Sequence, residues 1–200
     1  MKAEGFPVVL IDRYFEGVEI PAIVVNNRSG AEHATAHLFE KGFKNPMALA
    51  ISPIHVYTIH GRVAGYRNEM KNVAKSPWVE EVPFDDPFEH IDKLIQQLKQ
   101  ENRLPDSIFA MNNNVATAAL QALRKHGIRV PEEIGVVCFD DVPYFNFISP
   151  SITAVSQPIK EICTESFGTL LKLINGKVDE VSFGPTYLPF EFIERESTRK

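Results

Sequence analysis

Two adjacent carboxylates, Asp140 and Asp141, close the apolar run Val136-Val137-Cys138-Phe139 and are followed by Pro143. A short run too apolar to alternate reads as a parallel strand covered on both faces. In open α/β sheets ligands bind in the crevice beyond the carboxyl ends of the strands. Asp140 then stands where a soluble ligand is received. Its charged oxygens suit the two neighbouring hydroxyls of a sugar diol, although a solvated strand end or a turn cap would place an Asp there too. Successive strand residues face opposite sides, so Asp141 points away. For the same reason the pair is ill-suited to glycoside hydrolysis, which needs two carboxyls flanking one bond. Arg62 offers a planar fork of donors for hydroxyls or a carboxylate; the plainer reading is a surface arginine in the first turn of a helix.

Other chemistries find little to work with. His33 and His37 have helical i, i+4 spacing, but Ala34 stands where a zinc-protease motif carries Glu. An exposed, solvated histidine pair is the expectation, and no metal or cofactor is implied. The sequence has no GxSxG elbow, P-loop or GxGxxG, and nothing assembles a nucleophile with a base, so no catalytic residue is assigned. Cys138 and Cys163 lack CxxC spacing, and both fall on apolar periodic positions, which predicts buried free thiols in a reducing cytoplasm. The net charge of −5 and the lack of a Lys/Arg-rich run leave no electrostatic footprint for nucleic acid. No apolar stretch approaches the ~20 residues of a membrane span, and MKAEGFPVVLID does not read as a signal peptide.

The elements that must position these residues alternate along the chain. Strands are predicted at Val8 to Ile11, Ile23 to Val25, Met47 to Ile51, Val79 to Phe84, Ile108 to Met111 and 134 to 139. Ser29-Gly30-Ala31-Glu32 fits a capping box for a helix ending at Gly42. Further helices are predicted from about Gly61 to Val73, along the Phe88-to-Leu98 stripe, and from Asn112 to Gly127 with an asparagine cap. Pro158 opens a helix whose wide stripe, Ile159 to Ile174, closes at Gly176. A last extended piece runs from Tyr187 to Ile193. Such alternation implies an α/β fold, a doubly wound parallel sheet with helices on both faces.

Seven segments together resemble one family: FPVVLIDR (6–13), HLFEKGF (37–43), RVAGY (62–66), SIFAMNN (107–113), RVPEEIGVVCFDD (129–141), PSITAVSQP (150–158) and LPFEFIERES (188–197). They stand in the order seen in LacI/GalR-type bacterial transcription regulators, within the effector-binding domain that resembles periplasmic sugar-binding proteins. The resemblance implies a type I periplasmic binding protein-like fold. One C-terminal lobe is expected complete, from residues 21–153 and 187–200, with a remnant of the N-terminal lobe from residues 1–20 and 154–186. The family's helix-turn-helix headpiece is not recognised in the sequence, so the chain is expected to be part of a longer regulator.

The resemblance also assigns roles. It puts Asp140 in the effector pocket and matches Arg62 to the family's effector-contacting arginine, with Thr58 upstream in the same loop. Asp12 matches the strand-end aspartate of the first motif, reaching the pocket or capping a turn. Phe84 is an aromatic that stacks on the ligand or belongs to the core, and Asn112 is a polar contact or a helix cap. Asn113 and Asn26 stand where the family commonly has Asp, and Cys138 where it has Gly. The implied function is effector binding, of a sugar or small polar metabolite between two lobes, in a cytoplasmic LacI-family repressor that contacts operator DNA only through its headpiece. A homodimer is implied, with Tyr144, Phe145, Phe147 and Ile148 at its contact and no membrane partner. The alternatives are a stand-alone periplasmic-type sugar-binding protein and a sugar-processing enzyme.

Overall fold

The computed structural model describes residues 6–199; Met1 to Gly5 and Lys200, at the outer ends of the two expected lobes, lie outside the described residues. Two compact units divide the chain after Asn26, Ser156 and Phe190.

The larger unit holds a six-stranded sheet. Its strands are β3 (Pro46–Ile51), β4 (Trp78–Val82), β5 (Ser107–Ala110), β6 (Gly135–Phe139), β7 (Thr153–Ser156) and β9 (Glu191–Ile193). The order is β4-β3-β5-β6-β7-β9, parallel throughout except for β9, which runs antiparallel to β7 at the edge. Strands β3, β5 and β6 are buried at every position, as uninterrupted apolar runs require when both faces are covered. The helices are α1 (Asn27–Glu40), α2 (Tyr57–Asn72), α3 (Pro87–Gln100) and α4 (Asn113–Lys125), packed as the pairs α1 with α2 and α3 with α4. The chain moves outward from β3 to β4, then reverses to β5 and β6. Right-handed crossovers therefore put α2 on one face and α3 with α4 on the other. The strand order thus switches beside β3 and β5, and the crevice at their carboxyl ends is where such folds bind ligands.

Local chemistry sets the helix ends. Asn112 caps α4 by accepting the Val115 amide at 2.8 Å, and Asp86 caps α3 through the Glu89 amide at 3.1 Å. Gly127, at φ 67°, leads the chain out of α4 in the left-handed conformation that glycine adopts freely. The expected capping box is not formed: α1 starts at Asn27, so Ser29 lies inside the helix and Glu32 instead bonds Arg28 and Asn68. Helix α2 begins at Tyr57, four residues before Gly61, which moves Thr58 from the expected loop into the first helical turn.

The smaller unit is a parallel three-stranded sheet, β1 (Leu10–Ile11), β2 (Pro21–Val25) and β8 (Gly184–Leu188), ordered β1-β2-β8, with helix α5 (Ile159–Ile174). Two boundaries differ from expectation. Pro21–Val25 pairs with β1 and β8 and so belongs here, not with the larger sheet. The extended piece Tyr187 to Ile193 is two strands, because Phe190 ends one unit and Glu191 begins pairing in the other. Ile162 packs on Ile23 and Val25, whereas Ile159, Phe167, Leu171 and Ile174 stay exposed, since the apolar stripe of α5 is wider than this small sheet covers. Cys163 lies on the exposed part of α5, contrary to expectation; Cys138 is buried. Among the described residues, no helix is long and apolar enough to cross a membrane.

Candidate functional site

Arg62 is the centre of the candidate site. It projects from the second turn of α2, and its side chain is only 4% exposed. Nε donates to Asn27 Oδ1 at 2.8 Å, and Nη1 donates to the Met111 carbonyl at 2.6 Å and to Asp140 Oδ2 at 3.1 Å. Nη2 reaches Asp140 Oδ1 at 3.5 Å. The guanidinium carbon lies 3.8 Å from the centroid of the Phe139 ring, so a cation rests on an aromatic face. Each partner comes from the end of a separate element: Asn27 from the start of α1, Met111 from the end of β5, and Phe139 with Asp140 from the end of β6. A surface arginine is thereby excluded. This is a buried cation wired into the strand ends.

Three residues of the RVAGY segment have a direct structural reason. Arg62 reaches the strand ends. A Cβ on Gly65 would lie 2.2 Å from the Arg28 carbonyl, so only glycine lets α1 and α2 approach this closely. The Tyr66 hydroxyl donates to the Pro46 carbonyl at 2.7 Å and accepts from the Trp78 amide at 3.1 Å, tying α2 to β3 and β4. Burial pushes the Tyr66 phenol up to about 12. Gly30, on α1, makes room for Phe139: a Cβ there would meet the ring at 2.8 Å. The glycine on one helix thus seats the ring under the arginine of the next.

Asp140 remains a quarter exposed, so its carboxylate is both paired and open to solvent. Its backbone has φ 80°, a left-handed conformation that aspartate tolerates better than most residues, and its amide donates to the Val155 carbonyl at 2.9 Å. Asp141 has a different partner from Asp140; because β6 stops at Phe139 and Asp140 is left-handed, the turn after the strand separates the two carboxylates, not the strand alternation that the sequence suggested. Arg195 grips Asp141 with two parallel bonds, Nη1 to Oδ1 at 2.9 Å and Nη2 to Oδ2 at 2.8 Å. Cys138, buried between these charges, has its thiol pKa raised well above the ordinary value, by desolvation first and then by the neighbouring Asp140 charge. It is an inert core thiol, not a nucleophile.

The other sequence-derived candidates fall in different places. Thr58 is buried in the first turn of α2, one helical turn before Arg62. Asn112 follows Met111, and its side-chain oxygen caps α4. Phe84 lies beyond the end of β4, which stops at Val82, and is 72% exposed, so the core reading of this residue is excluded. Asp12 belongs to the smaller unit, where it ends β1 much as Asp140 ends β6: φ is 70° and its amide donates to the Ile23 carbonyl at 3.1 Å. Phe145 is fully buried and Phe147 is exposed, so the aromatic run at 144–148 does not present a single face.

The histidine pair also differs from expectation. His37 is buried, its Nε2 lies 2.9 Å from Thr198 Oγ1, and both His33 and His37 pack on Phe192. Burial lowers the His37 pKa, the nearby Glu194 only partly opposing it. The sequence reading missed Asn27 and the Met111 carbonyl, which hold Arg62, and missed Phe139 as its support. Backbone carbonyls leave no trace in side-chain patterns, and an Asn at a helix start reads only as a cap.

Comparison with known proteins fits this geometry. The family described as periplasmic binding protein-like domain matches residues 35–198. The chain is 32% identical to the ribose operon repressor of Halalkalibacterium halodurans, over 98% of this chain and 57% of that protein. It is 28% identical to the HTH-type transcriptional repressor CytR of Escherichia coli, over 96% of this chain and 56% of that protein. The chain therefore spans about half the length of the curated relatives it matches. Among solved structures, the transcriptional regulator CelR in complex with cellobiose superimposes with a TM-score of 0.81 at 26% identity, covering 94% of this chain and 58% of that one.

Proposed function

The chain belongs to the periplasmic binding protein-like family, in the branch that contains LacI-type transcriptional repressors, and on that premise we propose that it is the effector-sensing part of such a repressor. The observation that carries this reading is the Arg62–Asp140 pair: a buried donor fork held against a partly exposed acceptor, at the carboxyl ends of a switched parallel sheet. Such a pair offers a polyhydroxylated ligand a charged acceptor of fixed orientation, and charged hydrogen bonds discriminate well between hydroxyl arrangements. A sugar or similarly small polar metabolite is the proposed effector, with Asp140 as main contact and Arg62 holding it. Thr58, Asn112, Phe84 and Asp12 are the proposed lesser contacts. The relatives named for a ribose operon and solved with cellobiose support the sugar class.

The remaining roles are part of the same proposal. The larger unit acts as the C-terminal effector lobe and the smaller unit as part of the N-terminal one. No reaction is assigned, since the site offers neither a nucleophile nor an acid–base pair. A cytoplasmic homodimer acts on operator DNA through a helix-turn-helix element of the kind that classes the CytR relative. Effector occupancy and DNA affinity are then two linked equilibria. The test is a thermal-shift screen against pentoses, hexoses, disaccharides and nucleosides, D-ribose and cellobiose included. Saturable stabilisation by one class is expected. A chain that no member of the panel stabilises overturns the reading.

A further inference from the structure

Arg195 lies on the segment that follows β9, does not touch Arg62, and takes part in none of the contacts assigned to the effector. Its position is nonetheless highly determined. The side chain is 12% exposed, and its guanidinium forks onto Asp141 and donates through Nη1 to the Ile152 carbonyl at 2.6 Å. Its backbone amide donates to Thr153 Oγ1 at 2.9 Å. Ser197 donates to the Val136 carbonyl at 2.6 Å and accepts from the Thr153 amide at 2.8 Å, so the segment is bolted to β6 and β7 after Arg195, while β9 pairs it with β7 before Arg195.

Asp140 and Asp141 share one peptide bond and are gripped from opposite sides by two arginines: Arg62 from α2 and Arg195 from the C-terminal segment. Between the grips sits a non-glycine residue at φ 80°. An isolated chain leaves that conformation readily; here the bond from the Asp140 amide to the Val155 carbonyl holds the backbone, and the two arginines hold the side chains on either side of the peptide. We propose that Arg195 is a positioning residue for the effector site: by fixing Asp141 it holds Asp140 in the left-handed geometry that aims its carboxylate along Arg62. The role of Asp140 as effector contact rests on the function proposed above; the mechanical link between the two arginines does not. The C-terminal segment thereby sets the fraction of molecules whose site is formed, and apparent effector affinity scales with that fraction.

The test has a ligand-free arm and a sugar arm. In nitrogen–proton spectra of the arginine side chains, Arg62 is identified by the signals lost in Arg62→Lys. The wild-type Nη protons, held by the Met111 carbonyl and Asp140, should give separate, slowly rotating signals. Arg195→Lys keeps the charge and removes the fork; it should collapse the Arg62 Nη2 signals, which depend on Asp140, and leave Nη1, still held by the Met111 carbonyl, and Nε, bonded to Asn27, in place. Asp141→Asn, gentler to the fold, should do the same. Glu194→Gln breaks the Lys41–Glu194 ion pair of the same segment without touching Asp141, and should leave Arg62 unchanged. Unaltered Nη2 signals in both Arg195→Lys and Asp141→Asn would overturn the proposal, as would an equal collapse in Glu194→Gln.

The sugar arm titrates D-ribose into the wild type and into Arg195→Lys, below the melting transition of either. A roughly tenfold weakening is expected, and it should vanish in an Asp140→Asn background, where a purely structural defect would persist. A weakening that persists there assigns Arg195 a scaffold role and overturns the proposal. Where D-ribose does not bind, the titration is run with the panel member that gives the strongest thermal shift; a chain that no panel member binds counts against the function reading alone, and the spectra decide this one.

Discussion

Replacing Arg62 by alanine removes four interactions at once, and the structure lets their weight be worked out. Asn27 Oδ1 and the Met111 carbonyl, both on buried residues, lose a charged donor, and each hydrogen bond to a charged group contributes about 1.5–3 kcal/mol. The Phe139 ring loses a cation at 3.8 Å, about 0.5–2 kcal/mol. Asp140 is left without its arginine, but its quarter exposure lets water take over part of the pairing. These terms share partners and do not add, so the loss sits within the range for breaking a buried pair, about 3–5 kcal/mol. Arg62→Lys, which keeps the charge without the fork, should lose about half as much. Trp78 is the single tryptophan and lies on β4 of the larger unit, so urea unfolding followed by its fluorescence reports the unit that holds the site. A change below about 0.5 kcal/mol in Arg62→Ala, the scale of an ordinary surface substitution, would refute the buried, multiply bonded arginine described above.

Three further outcomes follow from other parts of the molecule. Burial lowers the His37 pKa in the folded state; between the unfolded value of about 6.5 and the lower folded value the unfolded chain binds more protons, so stability falls as pH drops through that window. Melts from pH 7.5 to 5.5 should show this decline, flatter in His37→Gln; an identical slope in both proteins contradicts the assignment. Gly65→Ala drives a Cβ against the Arg28 carbonyl and should destabilise the larger unit by about 1–3 kcal/mol in urea, a neutral result meaning that α1 and α2 are not this close. An aromatic disulfide reagent should titrate one thiol per native chain, Cys163, and a second, Cys138, only after unfolding; two fast native thiols would contradict the burial of Cys138.

Much of the fold could be read from the sequence because its signals are local. The apolar runs at 47–51, 108–111 and 134–139 became fully buried parallel strands, and Gly42, Gly127 and Gly176 sit at positive φ after their helices. The errors came where local signals compete with tertiary ones. Ser29 and Glu32 carry a good capping pattern, yet the close packing of α1 on α2 extends the helix back to Asn27. The stretch 187–193 is uniformly extended, so nothing in its pattern marks Phe190 as the point where it leaves one sheet for another. At the site, Asp140 and Arg62 were legible from strand end and motif. Their partners were not, because Asn27 and the Met111 carbonyl meet Arg62 over separations of 35 and 49 residues, one from a helix start and one from the backbone.

The central claim, that Asp140 is the charged acceptor of a small polyhydroxylated effector, is tested most directly by calorimetric titration of one substitution. Asp140→Asn keeps the shape of the side chain and removes the charge from its hydrogen bonds. With the sugar that gives the strongest thermal shift, the substitution should weaken binding by about 1.5–3 kcal/mol, roughly 10- to 150-fold. Wild-type affinity in a folded Asp140→Asn protein would contradict the claim.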